Sequence, residues 1–178
     1  PQYEWLVSQL NAARDRYLFT FVCFHPPPYS SGPWGRSDSY RARFLDPLFR
    51  ERGVDAVFTS HDHFYERSET FADGYRILYF VEGAGGAPLY PRVNGWDEPG
   101  SWMWDESNQT FYAKAFDNSS YSFLRVDIAA AGHDAGAWLQ HRHDLCGCGI
   151  LGRGGECYDR LAALALGRAP DEVDLTTE

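Results

Sequence analysis

Short apolar runs alternate with amphipathic stretches through the first half of the chain, and together they predict strands alternating with helices. Residues 2–16 carry apolar side chains at helical spacing, as do residues 37–52, where Pro47 predicts either a kink or a new turn. Two runs, 19–24 and 54–58, are short and apolar enough to form buried strands. A strand, a helix and a second strand in this order predict a βαβ unit, and hence the α/β fold class.

The second half of the chain predicts mainly strands and turns. A strand at 77–81 precedes a glycine-rich turn at 83–86, and residues 94–108 predict a long loop. The remaining strand candidates, of which the first two are expected to form a hairpin, are 110–116, 121–128 and 137–141. We therefore expect one domain over residues 1–143, followed by a tail at 144–178.

Composition and charge narrow the possible functions only slightly. With 178 residues and 44% hydrophobic content, the chain is long enough to bury one core. Its net charge of −9 argues against non-specific nucleic-acid binding, because phosphate backbones attract basic surfaces. No apolar stretch approaches the roughly 18 residues that a membrane-spanning helix needs, so we expect no membrane span.

Histidines follow two of the predicted strands directly. His25 comes after the run 19–24, and His61 and His63 come after the run 54–58. Chemistry in α/β proteins is placed where parallel strands end, and residues i and i+2 of an extended segment can face the same way. Imidazole is a common ligand of zinc, iron and copper, so these residues are candidate metal ligands. The alternative is that they are polar loop residues or hydrogen-bonded surface histidines.

Three ordered segments carry a more specific pattern, and they read HPPPYSSG, GVDAVFTSHDHFYER and ILYFVEGAGGAPLY. Over residues 2–91 the chain resembles the calcineurin-like metallophosphoesterases, most closely the purple acid phosphatase branch. That family combines a strand ending in a metal-binding histidine, a G-H-x-H-x-Y-E-R segment and a glycine-rich turn. The resemblance implies half of a four-layer αββα sandwich, with the βαβ unit joined to mixed or antiparallel strands.

Carried over residue by residue, the resemblance implies a two-metal site that hydrolyses phosphate esters. His25 and His61 would bind one metal ion and His63 the other, with iron and either zinc or manganese as the expected metals. Two neighbouring cations can polarise a phosphoryl oxygen, activate water and align the attacking and leaving groups. Asp62 or Glu66 would accept the free ring N–H of a ligand histidine and so fix its tautomer.

Two further residues are candidate substrate contacts, Tyr29 and Trp34. Trp34 stands where a phosphate-contacting histidine often follows the serine-rich turn in the family. An indole has one donor and no charge, so we expect weaker phosphate binding there and easier stacking on an aromatic or sugar group. The catalytic acid or base is not identified by the sequence.

The chain also departs from the family pattern. The family's bridging aspartate and its G-N-H-[DE] segment occur nowhere in the chain, and the chain opens at Pro1 without an initiator Met. Since these motifs lie N-terminal to the matching segment in the family, we expect a fragment. The isolated chain is expected to be inactive, because three imidazoles without carboxylates cannot offset the repulsion between two dications. Activity would then require an N-terminal half or a companion chain.

The tail contains a second group of possible metal ligands or disulfide partners. His141, His143, Cys146, Cys148 and Cys157 match no standard zinc pattern, and a disulfide between Cys157 and one of the other two cysteines is the preferred interpretation for an exported protein.

Other features of the tail and of its surroundings bear on structure and export. A short helix is expected over 158–166, and two N-glycosylation patterns, at 108–110 and 118–120, are weak support for export. The family that the chain resembles is commonly exported, and this resemblance implies a periplasmic or extracellular location.

Two hypotheses for the function follow from the sequence. In the first, the chain is the metal-site half of a phosphate-ester hydrolase. In the second, it is an inactive binding or structural module that kept the scaffold and lost the metals. The three histidines favour the first hypothesis, whereas the missing carboxylates and Trp34 favour the second.

Overall fold

The structure is a computed structural model, and it divides into two compact units, Pro1–Tyr121 and Ser122–Glu178. The residues it describes are 1–14, 16–17, 19–33, 40–72, 74–93, 98–99, 101, 103–105, 110–129, 136–143 and 156–160. The expected division after residue 143 differs from this one. It would separate residues 136–143 from residues 156–160, which pair as antiparallel strands, and the domain boundary stays a prediction.

The first unit contains two helices and seven strands among the described residues, in an α/β order. They are α1 Gln2–Ala13, β1 Phe21–Cys23, α2 Tyr40–Arg52, β2 Ala56–Thr59, β3 Tyr65–Ala72, β4 Tyr75–Glu82, β5 Trp104–Asp105, β6 Thr110–Phe111 and β7 Ala113–Asp117. The second unit contributes the antiparallel strands β8 Ser122–Ala129, β9 Gly136–His143 and β10 Glu156–Arg160.

A mixed five-stranded sheet with the order β1-β2-β4-β3-β7 forms the frame of the first unit. The three strands β1, β2 and β4 are parallel neighbours, and β3 runs antiparallel to both β4 and β7. The α/β prediction and the β1–α2–β2 unit are therefore confirmed. The parallel arrangement also brings the carboxyl ends of β1 and β2 to the same edge of the sheet.

The core lies between the two helices and the sheet. Leu10 of α1 and Phe49 of α2 join Val57, Ile77 and Tyr79 of the central strands in one buried cluster. Fully burying a side chain of this size contributes about 1.5–3 kcal/mol, so the cluster fixes both helices on the sheet.

The second helix continues through Pro47, which was expected to kink or end it. Pro47 is exposed, and so is Arg43, one turn earlier. Proline has no N–H to donate to the carbonyl group of Arg43. Because Arg43 is exposed, this carbonyl can bond to water, which lowers the free-energy cost of proline at this position.

Two strand predictions were wrong, and both errors involve β3. Sequence patterns missed this strand because its buried positions include the polar residues Glu66, Ser68 and Thr70 instead of an apolar alternation. The expected hairpin between residues 110–116 and 121–128 is also absent. In its place β7 pairs with β3 in the first sheet, whereas β8 pairs with β9 in the second unit.

The expected tail helix at 158–166 is also contradicted where it is described. Residues 158–160 lie in strand β10, which pairs with β9, and the remainder of the predicted helix falls outside the described residues. Among the described residues, no helix combines the length and apolar character needed to cross a bilayer.

Candidate metal centre

Hydrogen bonds of the parallel sheet continue past the ends of β1 and β2 and bring the histidine loops together. Phe24 N donates to Phe58 O at 3.1 Å, and Ser60 N donates to His25 O at 3.0 Å. His25 and the segment that begins at Ser60 therefore lie side by side directly beyond the strand ends. This is the convergence that the sequence predicted from two separate runs of apolar residues.

The three candidate histidines line one cavity of about 390 Å³. His25 Nε2 lies 2.8 Å from His61 Nδ1, and the two rings meet edge to face with their centroids 4.7 Å apart. His63 lines the same cavity, together with Glu82 and the glycine turn that follows β4. His25 is exposed, and His61 and His63 are half-buried, so all three side chains are accessible from this cavity.

The backbone of His61 adopts a conformation that side chains normally avoid. Its φ of 74° lies in the left-handed region, and among the described residues no other residue except glycine has a positive φ. Such a conformation costs about 1–3 kcal/mol and persists only where the surroundings enforce it, often at functional sites. Here it accompanies the direct contact between His61 and His25.

Hydrogen bonds fix the tautomer of one histidine and the orientation of another. His63 Nδ1 lies 2.8 Å from Pro88 O, and since a carbonyl only accepts, Nδ1 carries a proton, so that in the neutral ring Nε2 has the free lone pair. The His63 ring also stacks on Tyr90, with centroids 4.1 Å apart. His25 Nδ1 lies 2.8 Å from Ser60 Oγ, which leaves Nε2 facing His61.

The imidazole nitrogens of the three histidines are suitable metal ligands in kind, but they are too few to complete a metal centre. Imidazole nitrogens suit zinc and iron, and a cation held by His25 and His61 would take the place of the contact between these two nitrogens. However, the described residues contain no group of three or more His, Cys, Asp or Glu side chains with metal-binding spacing. A metal ion in this cavity would therefore require ligands beyond those that the described residues bring together.

Glu66 has a different role from the predicted one. Its carboxylate accepts hydrogen bonds from Ser31 N at 3.0 and 3.1 Å, from Ser31 Oγ, and from Ser68 Oγ at 3.3 Å. It does not hold a histidine ring. Asp62 Oδ2 likewise accepts a hydrogen bond from Ser30 Oγ at 2.5 Å. Both carboxylates therefore hold residues 30–32, the serine loop that follows the three prolines.

Burial dominates the electrostatics of Glu66. The side chain is fully buried, and this burial raises the pKa of its carboxyl from 4.5 to about 7. The hydrogen bonds from Ser31 and the charge of Arg92 act in the opposite direction but do not compensate. Hydrophobic patterning does not predict this environment, because Glu66 lies in a strand whose buried positions are polar.

Tyr29 does not lie where a substrate contact was expected. It is only 5% exposed and packs between Tyr79 and Tyr112, with ring centroids 4.8 and 4.7 Å away. Its burial also raises its pKa well above the ordinary range, so it is a core residue. Trp34 lies outside the described residues.

The alternative metal ligands of the tail are not tested by the structure. Cys146 and Cys148 lie outside the described residues, and only the backbone is described for His141, His143 and Cys157. His141 and Cys157 are paired positions of the antiparallel strands β9 and β10. The proposed disulfide pairing remains a prediction.

Several residues around the three histidines were missed by sequence reasoning. Ser60, Pro88 and Tyr90 contact the histidines, and Glu82 adds a carboxylate to the cavity wall. The only sequence feature that could have suggested Glu82 is its position immediately before the glycine cluster.

No family model matches the chain, but individual proteins do. Purple acid phosphatase 18 of Arabidopsis thaliana is 38% identical over 76 residues, which is 41% of this chain and 17% of that protein. Fe(3+)-Zn(2+) purple acid phosphatase 12 of the same species is 35% identical over 81 residues, or 44% of this chain and 17% of that protein. The chain thus aligns with about a sixth of the length of these relatives.

A solved structure extends the likeness at the level of the fold. The structure of a purple acid phosphatase from yellow lupin (Lupinus luteus) seeds matches with a TM-score of 0.58 and 20% identity. The match covers 99% of this chain and 32% of the lupin chain. The mixed sheet and the two helices therefore correspond to a partial metallophosphoesterase fold.

Proposed function

We propose that this chain supplies the histidine part of a metal centre that hydrolyses phosphate esters. The proposal starts from its membership of the purple acid phosphatase branch of the calcineurin-like metallophosphoesterases, whose proteins it matches over part of their length. The observation that carries the proposal is the single cavity shared by His25, His61 and His63, in which the first two rings are in contact. Core packing alone gives no reason for solvent-accessible histidines from two loops to meet in this way.

Each histidine has a defined part in the proposed centre. His25 and His61 bind one metal ion and His63 binds a second through Nε2, the nitrogen left unprotonated by its bond to Pro88. Iron together with zinc or manganese is the proposed metal pair, and the printed name of one relative, an Fe(3+)-Zn(2+) enzyme, supports it. When bound, such ions polarise the phosphoryl group and activate water. The protein residues hold and orient the ligands.

The remaining ligands are proposed to come from further polypeptide, either an upstream half or a companion chain. Three neutral imidazoles do not offset the repulsion between two closely spaced cations, so anionic ligands are required. Among the described residues, strand β1, which precedes His25, lies at the edge of the five-stranded sheet and offers a place where more structure can join. On this view the complete protein acts on a phosphate ester, whereas the chain alone binds metal weakly.

A location outside the cytoplasm is part of the proposal, supported by the two glycosylation patterns in the sequence. The structure makes one of these sites unfavourable. Asn118 Nδ2 donates a hydrogen bond to Tyr90 O at 2.9 Å, and a glycan on this nitrogen would disturb the contact. Asn108 lies outside the described residues.

A second candidate function is an inactive binding or structural module. The specific observation in its favour is that no group of three metal-binding side chains with suitable spacing occurs among the described residues. The two candidates differ in whether the histidine cavity binds metal at all.

Metal content and phosphatase activity of the purified protein test the proposal. The protein is loaded with zinc, iron or manganese, its bound metal is measured by mass spectrometry, and turnover of p-nitrophenyl phosphate is followed. We expect bound metal that is lost in His61→Ala, and we expect any turnover to fall to background in this variant. Measuring the intact mass of the same sample shows whether a second polypeptide is present.

His143→Ala is the matched control, because it removes a histidine of the second unit. It should leave the metal content of the cavity unchanged. A folded wild-type protein that takes up no metal, or turnover that His61→Ala leaves intact, would contradict the proposal and favour the inactive module. If His143→Ala loses the metal and His61→Ala keeps it, the metal binds in the second unit instead.

A further inference from the structure

Three segments that form the histidine cavity are joined by hydrogen bonds at one buried residue, Ser31. Its backbone N and its Oγ both donate to the carboxylate of Glu66, with N at 3.0 and 3.1 Å from the two oxygens. Its carbonyl oxygen accepts a hydrogen bond from Val93 N at 2.9 Å. Ser31 and Glu66 are both completely buried, so water does not compete for these bonds.

Each of the joined segments carries part of the cavity. The segment with Ser31 begins at His25, and the segment with Glu66 begins with His61 and His63. The segment that ends near Val93 contains the glycine turn that lines the cavity and also Pro88, whose carbonyl accepts from His63. The placement of the three histidines relative to one another therefore depends on contacts at Ser31.

A neighbouring contact leaves the serine loop little freedom to move. Ser30 Oγ donates to Asp62 Oδ2 at 2.5 Å, and Asp62 lies between His61 and His63 in the sequence. A Cβ atom on Gly32 would lie only 2.5 Å from Asp62 Cγ, so the loop backbone rests directly on this carboxylate. A larger residue at this position would require the Asp62 side chain to move.

We propose that Ser31 and Glu66 are positioning residues that hold the three segments in the arrangement in which the histidines bind metal. The inference rests on the proposed function, since it assigns these residues to that metal centre. Neither residue needs to touch the metal. Residues that only orient metal ligands typically change metal affinity by about 10- to 100-fold when mutated, and this is the effect expected here.

Binding of Co²⁺ to the full chain tests the inference, because its visible absorption reports both affinity and ligand geometry. Ser31→Ala removes the hydroxyl bond, and Glu66→Gln keeps the volume while weakening the acceptor. We expect each variant to bind Co²⁺ about tenfold or more weakly than the wild type, with an altered absorption band. The double variant should lose less than the two single losses combined, because both act through one contact.

Thr70→Val is the matched control, since it removes another buried hydroxyl bond to a carboxylate, from Thr70 Oγ1 to Asp46 at 2.6 Å. It should leave Co²⁺ affinity and the absorption band unchanged. An equal loss of affinity in this control would overturn the positioning role, because a general loss of stability would then explain the effect. If Ser31→Ala does not fold, Glu66→Gln decides the question.

The outcomes separate this inference from the proposed function. If the wild type binds no Co²⁺, or if His61→Ala binds it equally well, the proposed metal centre itself is wrong. If the wild type binds Co²⁺, His61→Ala loses it, and folded Ser31→Ala and Glu66→Gln bind like the wild type, only the positioning role is wrong.

Discussion

Replacing Glu66 with Gln should change how the stability of the metal-free protein depends on pH. Burial raises the pKa of this carboxyl from 4.5 to about 7, so the folded state holds the proton more tightly than the unfolded state. The contribution to stability is fully present below pH 4.5 and is lost as the pH rises towards 7. A difference of this size corresponds to about 3 kcal/mol in the free energy of unfolding.

The Gln side chain has nearly the same shape and no charge at any pH, so the variant should lack this loss. Urea unfolding in the presence of EDTA, at a series of pH values across this window, measures the difference. The variant should gain stability relative to the wild type as the pH rises, by up to about 3 kcal/mol.

Glu69→Gln is the control for this prediction, because it is the same substitution on the same strand at a half-exposed position. We expect its pH profile to follow that of the wild type. Parallel profiles for wild type and Glu66→Gln would refute the reasoning, since they would mean that Glu66 carries the same charge in the folded and unfolded states.

Two further substitutions test the packing around the site and the core. A Cβ on Gly83 would lie 2.0 Å from the backbone oxygen of Asp62, so Gly83→Ala should cost about 1–3 kcal/mol and lower the Tm by several degrees. Gly85→Ala, where nothing lies within 4 Å of the new Cβ, should have little effect in the same thermal melt. Tyr79→Phe removes a 2.6 Å hydrogen bond to buried Asp46 and should lower the urea-unfolding free energy by about 1.5 kcal/mol.

Controls decide what these two results mean. Equal Tm values for the Gly83 and Gly85 variants would show that the backbone can move away from the clash without cost. For Tyr79→Phe the control is Tyr29→Phe, a neighbouring buried ring whose hydroxyl makes no hydrogen bond among the described residues. If Tyr29→Phe lowers the free energy of unfolding as much as Tyr79→Phe does, a specific role for the hydrogen bond to Asp46 is contradicted.

Local patterns in the sequence were sufficient for the βαβ frame and for the meeting of the histidines. Apolar runs before His25 and His61 predicted strands, and parallel strands with a connecting helix bring their carboxyl ends to one edge. The order of residues along the chain therefore placed His25 near the other two histidines before any contact was known. The resemblance of the same segments to purple acid phosphatases gave the expected chemistry.

Sequence patterns failed where polar side chains occupy buried positions. Strand β3 was missed because Glu66, Ser68 and Thr70 point into the protein, and each is satisfied by a partner that is distant in sequence or on the same strand. Hydrophobic periodicity cannot reveal a position that is polar and buried. The pairing of β7 with β3 was missed for the same reason.

The amino-acid sequence by itself determined the candidate ligands, the fold class and the edge of the sheet where the ligands lie. Only the tertiary structure decided that Glu66 and Asp62 hold the serine loop and that Tyr29 belongs to the core. The physical reason is that burial and hydrogen-bond partners arise from residues about 30 or more positions apart, such as Ser31 and Glu66, which no local pattern connects.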